Sequence, residues 1–187
     1  MKGGLKRTRC RSLTTLSGAL IVSSIAAFAR DSSTIAGTQS ACGPMDVKFD
    51  VETDSAQRSV APPEVEKALV YVIQDDGTQT CGGWTCITTK LALDGAWVGA
   101  NRHNSYFSFA VEPGEHHLCA IWQSRLKVPR RLTGVAHFTA EAGKVYYFRT
   151  RPFMTQMRSF LDLDPIDSDQ GKLFLALYPL SISRPRK

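Results

Sequence analysis

The sequence predicts a mainly β protein: an antiparallel β-sandwich of about seven to nine strands with one short C-terminal helix. Three observations predict it. Short apolar or alternating runs recur between Val47 and Ile166, separated by turn residues roughly every 8 to 12 positions. Hairpin-type turn pairs, Asp94-Gly95 and Pro113-Gly114, lie between several of them. The chain also lacks the strand–helix alternation that a parallel sheet requires.

The strands follow in order. Val47, Phe49 and Val51 alternate with Lys48, Asp50 and Glu52, which predicts a first, peripheral strand. Residues 53–64, with Pro62-Pro63, form a connection. Ala68–Ile73 is a β-branched and aromatic run suited to a central strand, and Asp75-Asp76-Gly77 turns the chain out of it. Ile87–Leu93 and Trp97–Ala100 pair through Asp94-Gly95, and a polar turn follows over Asn101–Asn104. Ser105–Val111 alternates, with Phe107, Phe109 and Val111 on one face. Glu112–Glu115 is a tight turn with Pro at its second position. Strands His116–Gln123, Gly134–Ala140, Val145–Thr150 and Leu161–Ile166 complete the set, with a basic loop over 124–132. Asp167 is placed to cap a helix, with Gln170 completing a capping box, Leu173, Phe174 and Leu177 on one face, and Pro179 as the stop.

The N-terminus carries an export pattern. Lys2, Lys6, Arg7, Arg9 and Arg11 precede an uncharged run from Leu13 to Ala29 that ends in Ala27-Phe28-Ala29. This basic, apolar and small-residue order predicts a signal peptide over 1–29, cleaved before Arg30. A spanning helix wants roughly 20 predominantly apolar residues, and this run is diluted by Ser, Thr and Gly. The expected organisation is a signal peptide over 1–29, a flexible leader over 30–45, a sandwich domain over 46–180 and a basic tail over 181–187. The expected location is periplasmic or extracellular. Lipid anchoring at Cys42 is disfavoured, because Gln39-Ser40-Ala41 lacks the aliphatic residue of a lipoprotein signal.

Charge narrows the partners. The chain has 23 basic and 17 acidic residues, a net +6. Five of the basic residues lie in 1–29, so the mature part holds 18 against 17, or +1. A domain so nearly neutral does not fit a nucleic-acid binder, and Arg125, Lys127, Arg130 and Arg131 read as a solvated loop.

Cys42, Cys81, Cys86 and Cys119 remain after export, which allows two disulfides in three connectivities. Cys81–Cys86 would close a small loop over two glycines, leaving Cys42 with Cys119. The alternative has Cys81 or Cys86 reach Cys119 across the sheet.

Several motifs occur in a recognisable order: Lys67–Val72, Leu93–Gly99 around Asp94-Gly95-Ala96-Trp97, Asn104–Phe107, Val111–His116 and Ala142–Tyr147. In these the chain resembles the bacterial secreted and lipoprotein-like domain-of-unknown-function family 2846, over roughly residues 64–178. The Asp-Gly hairpin and Pro-Gly-x-His turn are also similar to small surface modules of the PEGA type. The resemblance implies an extracytoplasmic β-sandwich and no known activity. Many relatives look lipid-anchored, and the poor context of Cys42 departs from that.

Chemical motifs are sparse. His117 and Cys119 share a strand face, and with His103 or His137 they would make a metal site. Asp162, Asp164, Asp167 and Asp169 resemble part of a calcium loop, but Tyr178 stands where an EF-hand needs Glu. No Gly-x-Ser-x-Gly elbow is present. No enzyme activity and no cofactor are expected. The leading expectation is a non-catalytic envelope module that binds a protein or glycan through Trp84, Trp97, Arg102 and His103, because loop aromatics bring large contact area with few torsions. The alternatives are a metal-binding site around His117 and Cys119, or a purely structural envelope component.

Overall fold

The computed structural model describes residues 41–56, 62, 64–77, 87–123, 132–154 and 159–186. The chain divides into Met1–Arg30 and Asp31–Lys187, and everything described belongs to the second unit. The signal segment, the leader up to residue 40, the loop with Cys81, Trp84 and Cys86, and the basic residues 125–131 lie outside the described residues.

Ten strands and one helix are described: β1 (Phe49–Asp54), β2 (Ala68–Gln74), β3 (Thr88–Leu93), β4 (Ala96–Arg102), β5 (Ser105–Val111), β6 (Gly114–Gln123), β7 (Thr133–Ala140), β8 (Val145–Met154), β9 (Ser159–Ile166), α1 (Ser168–Leu177) and β10 (Leu180–Pro185). Sheet A has the order β1-β10-β5-β2-β8-β9, and sheet B the order β4-β3-β6-β7. The protein is thus mainly β, sandwich-like, with a short helix near the C-terminus, as expected.

The ten strands exceed the seven to nine expected, and two further expectations are corrected. Sheet A is mixed, not purely antiparallel: β2 runs parallel to β8, and β10 parallel to β5. A parallel pair needs a long crossover, usually a helix. Here the crossover from β2 to β8 is made of the strands of sheet B together with β5, so the absence of helices did not exclude it. The expected basic tail is in fact the tenth strand. Ser181 to Pro185 pair with Thr53 to Phe49 of β1, and Arg186 bonds to Asp50.

The periodicity of β2 explains its central place. Val70 and Val72 face sheet B, where they join Leu91, Leu118, Ala120, Phe148, Leu161 and Leu163 in the main core. Tyr71 and Ile73 face the other way and join Tyr106, Tyr147 and Leu175 beneath α1. Tyr71 stacks on Tyr147 at 5.5 Å, and its burial, followed by the two neighbouring tyrosines, pushes its pKa up to about 12. Asp167 caps α1 by accepting from the amides of Asp169 and Gln170. On one flank β7 lies against β9, closely enough that a Cβ on Gly134 would stand 2.9 Å from the Leu161 carbonyl oxygen.

The outer face of sheet B has its own cover. Ala41, Ala92, Cys119 and Ile121 form a small core against Cys42 and Trp97. Cys42 is disulfide-bonded to Cys119 with a Cα–Cα distance of 5.1 Å. Residues 41–44, expected as leader, therefore belong to the packed structure. Closing a loop of 77 residues stabilises by about 4 kcal/mol in the chain-entropy account.

The β3–β4 hairpin is clamped to β6 by Asp94, whose φ of 50° suits an Asp in a tight turn. Its Oδ1 accepts from the His117 amide at 2.8 Å, and its Oδ2 faces His116 Nδ1 at 2.7 Å. His116 Nε2 faces the Glu112 carbonyl at 2.7 Å, so both ring nitrogens meet acceptors. Burial lowers the His116 pKa, but the bonds to Asp94 and Glu112 outweigh it and the net shift is upward. For Asp94, burial is outweighed by donors from His117 and His116, and its pKa is lowered. The stabilisation from His116 is complete below its unfolded value near 6.5 and is lost as pH rises through the raised folded value. That from Asp94 is present above about 3.8 and is lost as pH falls through the lowered value. Urea midpoints should therefore decline above about pH 6.5. The decline should flatten in His116→Gln, and parallel curves for the two proteins would reject the clamp.

Candidate functional site

One end of the sandwich is lined by buried polar side chains. β2 leaves it at Gln74, opposite Ser105 of β5 and Thr150 of β8. β3 enters it at Thr88, opposite Arg102 of β4 and Gln123 of β6. The β4–β5 turn, His103-Asn104, closes it.

Asp76 is the centre of this end. Its side chain is 2% exposed. It accepts from Gln74 Nε2 at 3.0 and 3.1 Å, and lies 3.2 Å from His103 Nδ1. Burial raises its pKa, against the opposing effect of the bonds from Gln74 and His103. Asn104 ties the two turns together: its Oδ1 accepts from the Asp76 amide at 2.7 Å and its Nδ2 donates to the Gly77 carbonyl at 3.0 Å. His103 has a φ of 55° and donates its amide to the Ile87 carbonyl at 3.0 Å. Ser105 Oγ accepts from the Arg102 amide and meets Ser181 Oγ at 2.7 Å. Asp75 takes the outer side, accepting from Tyr178 Oη at 2.9 Å with Arg149 at 3.8 Å. Burial, then the bond to Asp75, raises the Tyr178 pKa.

Two amides cross the inter-sheet gap here. Gln74 Nε2 donates to the Ile87 carbonyl at 2.9 Å, and Asn101 Nδ2 to the Val72 carbonyl at 2.8 Å. Three buried oxygens, Gln74 Oε1, Asn101 Oδ1 and Thr89 Oγ1, have no hydrogen-bond partner among the described residues. Each such atom costs about 1–3 kcal/mol.

Of the residues expected to form one surface, Trp97 and Arg102 lie at opposite ends of β4. Arg102 is exposed at the end of β4, beside half-buried His103. Trp97 lies at the other end of β4, roughly 16 Å away at the rise of an extended strand. There Trp97 Nε1 donates to the Pro44 carbonyl at 2.7 Å, and Lys90 Nζ stands 4.0 Å over the ring. Gly43 packs so close to the ring that a Cβ would stand 2.6 Å from it. Trp97 covers the edge of the core beneath the N-terminal segment. Trp84 lies outside the described residues.

The expected metal set is also divided. Cys119 is bonded to Cys42 and offers no thiolate. His103 is at the polar end, whereas His117 lies six residues along β6 from Gln123, roughly 20 Å away. Of the expected partners, His137 alone is adjacent, directly across from His117. Among the described residues, no group of three or more His, Cys, Asp or Glu is arranged to hold a metal ion. The acidic stretch is likewise split: Asp162 and Asp164 lie 3.9 and 3.7 Å from Arg151, while Asp167 caps α1.

Asp76 and Gln74 were missed by sequence reasoning, whereas the Asn101–Asn104 turn that contains Asn104 was read as part of the candidate contact surface. Asp75-Asp76-Gly77 reads as an ordinary exposed turn, and nothing local tells which Asp points inward. No family model, no curated protein and no solved structure matches this chain.

Loss of Asn104 should weaken this end measurably. Asn104→Ala removes two hydrogen bonds and is expected to cost about 1–2 kcal/mol. Urea denaturation monitors it, and an unchanged midpoint would show that the turn is not tied through Asn104.

Proposed function

We propose that this chain is an exported, non-catalytic β-sandwich module that binds a protein or glycan of the cell envelope through its polar end, with Arg102 as the principal exposed contact. The observation that carries this reading is the construction of the β4–β5 turn. A buried carboxylate holds His103 in left-handed backbone, which costs a non-glycine residue energy and persists where surrounding structure enforces it. Such cost, together with three unpaired buried oxygens, collects where a scaffold fixes a surface for recognition.

Export is supported by the N-terminal basic and apolar order and by the Cys42–Cys119 disulfide, since disulfides persist in oxidising compartments. No helix among the described residues is long and apolar enough to cross a membrane. The order of turn and strand motifs that resembles family 2846 is in keeping with the same extracytoplasmic reading. Asp76 is engaged by Gln74 and His103, which favours positioning over chemistry.

The test uses tag-free chain against a glycan array and, by crosslinking and mass spectrometry, against envelope proteins. Arg102→Ala and Arg102→Glu should lower affinity for a retained partner roughly tenfold or more, the scale of a buried arginine anchor. Thermal midpoints should stay unchanged, since the side chain is exposed. Trp97→Ala should lower stability and leave affinity intact in the folded fraction. Full binding in both Arg102 variants would move the contact surface elsewhere.

A further inference from the structure

Alternation along β6 sends Leu118 and Ala120 into the main core and His117, Cys119 and Ile121 to the outer face of sheet B. The N-terminal segment covers Cys119 and Ile121. The next residue along that face, His117, stands directly opposite His137 of the edge strand β7. Side chains directly opposite on antiparallel strands have Cβ atoms about 4.5–5.5 Å apart. The two rings are 4.8 Å apart at their centroids and inclined by 40°.

We propose that His117 and His137 form a two-histidine site for a divalent borderline ion of the Zn²⁺ or Cu²⁺ class. Two imidazoles that bind one ion at about 2.0–2.1 Å with a tetrahedral angle between them have ring centres roughly 5 Å apart. The observed separation is close to that distance. His117 Nδ1 is buried and has no hydrogen-bond partner. A neutral imidazole carries a lone pair on one of its two nitrogens, the form in which histidine ligates metals, and no hydrogen bond among the described residues commits Nδ1 to another partner. His137 is exposed, which gives the ion a route from solvent.

The donor chemistry selects the ion. Calcium and magnesium require oxygen ligands, and two nitrogens do not serve them. Imidazole suits Zn²⁺, Cu²⁺ and Ni²⁺, with Cu²⁺ held tightest by a given nitrogen set. Since Cys119 is committed to its disulfide, the site has no thiolate character. No third protein ligand converges among the described residues, so water completes the coordination and the ion remains exchangeable. This site lies about 20 Å along sheet B from the polar end and is independent of the binding reading above.

All four histidines of the chain, His103, His116, His117 and His137, are described, so the background can be controlled by substitution. The tag-free full chain is titrated with Cu²⁺ followed by electron paramagnetic resonance, and with Zn²⁺ followed by calorimetry. One ion per chain is expected, with coupling of Cu²⁺ to two imidazole nitrogens. His137→Ala replaces an exposed side chain. It should lower affinity roughly tenfold or more, the scale on which altered ligation acts. His117→Ala should do the same, and His103→Ala should leave binding unchanged. Absence of saturable binding, or binding that His137→Ala leaves within about twofold of the parent protein, would overturn the site.

Discussion

A carboxylate taken out of water must be met by donors, because an unpaired buried charge is among the costliest groups a fold can hold. Asp76 imposes that demand, and the polar end of the sandwich is arranged around it. Gln74 turns its amide toward Asp76 and, with the same nitrogen, reaches the Ile87 carbonyl at the entrance of β3. His103 adopts left-handed backbone beside it. Asn104 then binds the amide of Asp76 itself. The exit of β2, the entrance of β3 and the β4–β5 turn are thus joined by one hydrogen-bond network centred on Asp76.

The two halves of the structure are held in different ways. Away from Asp76, the sheets are joined by apolar packing of Val70, Leu118, Ala140 and Phe148. Near it, directed hydrogen bonds from Gln74 and Asn101 span the gap. Directed bonds fix geometry at a net gain of only about 1 kcal/mol each. Packing contributes more energy and less direction. Outside the sandwich, α1 covers sheet A and the Cys42–Cys119 clip covers sheet B. The edge strands are masked too: β7 lies against β9, and β1 and β10 lie against β4. Juxtaposed edges limit the open strand surface through which sheets aggregate.

Much of this was legible in the sequence. Alternation at Phe107, Phe109 and Val111 and the Asp94-Gly95 turn gave strands and a hairpin where the structure has them. Asp167 gave the helix start because a cap is a local interaction. What failed was non-local. The parallel pairing of β2 with β8 depends on where a chain returns after some 70 residues, which no local pattern encodes. The last strand looked like a tail because Ser181–Pro185 is polar, and its pairing energy comes from the backbone of β1. Trp97 could be read either as a loop-tip contact or as cover for a core edge; the second holds, but its partner Gly43-Pro44, some 53 residues away, could not be named locally. The register that brings His137 opposite His117 was hidden by the long β6–β7 connection, because only a tight turn fixes register locally.

The central claim is that the polar end presents a fixed turn, held from inside by Asp76. Native-state hydrogen exchange of the backbone amides of Asp76 and His103 tests it most directly. Both are bonded, to Asn104 Oδ1 and to the Ile87 carbonyl. They should exchange as slowly as amides within the strands, and the protection of both should fall together in Asn104→Ala. Exchange of both at the rate of an open loop in the unaltered protein would contradict the account.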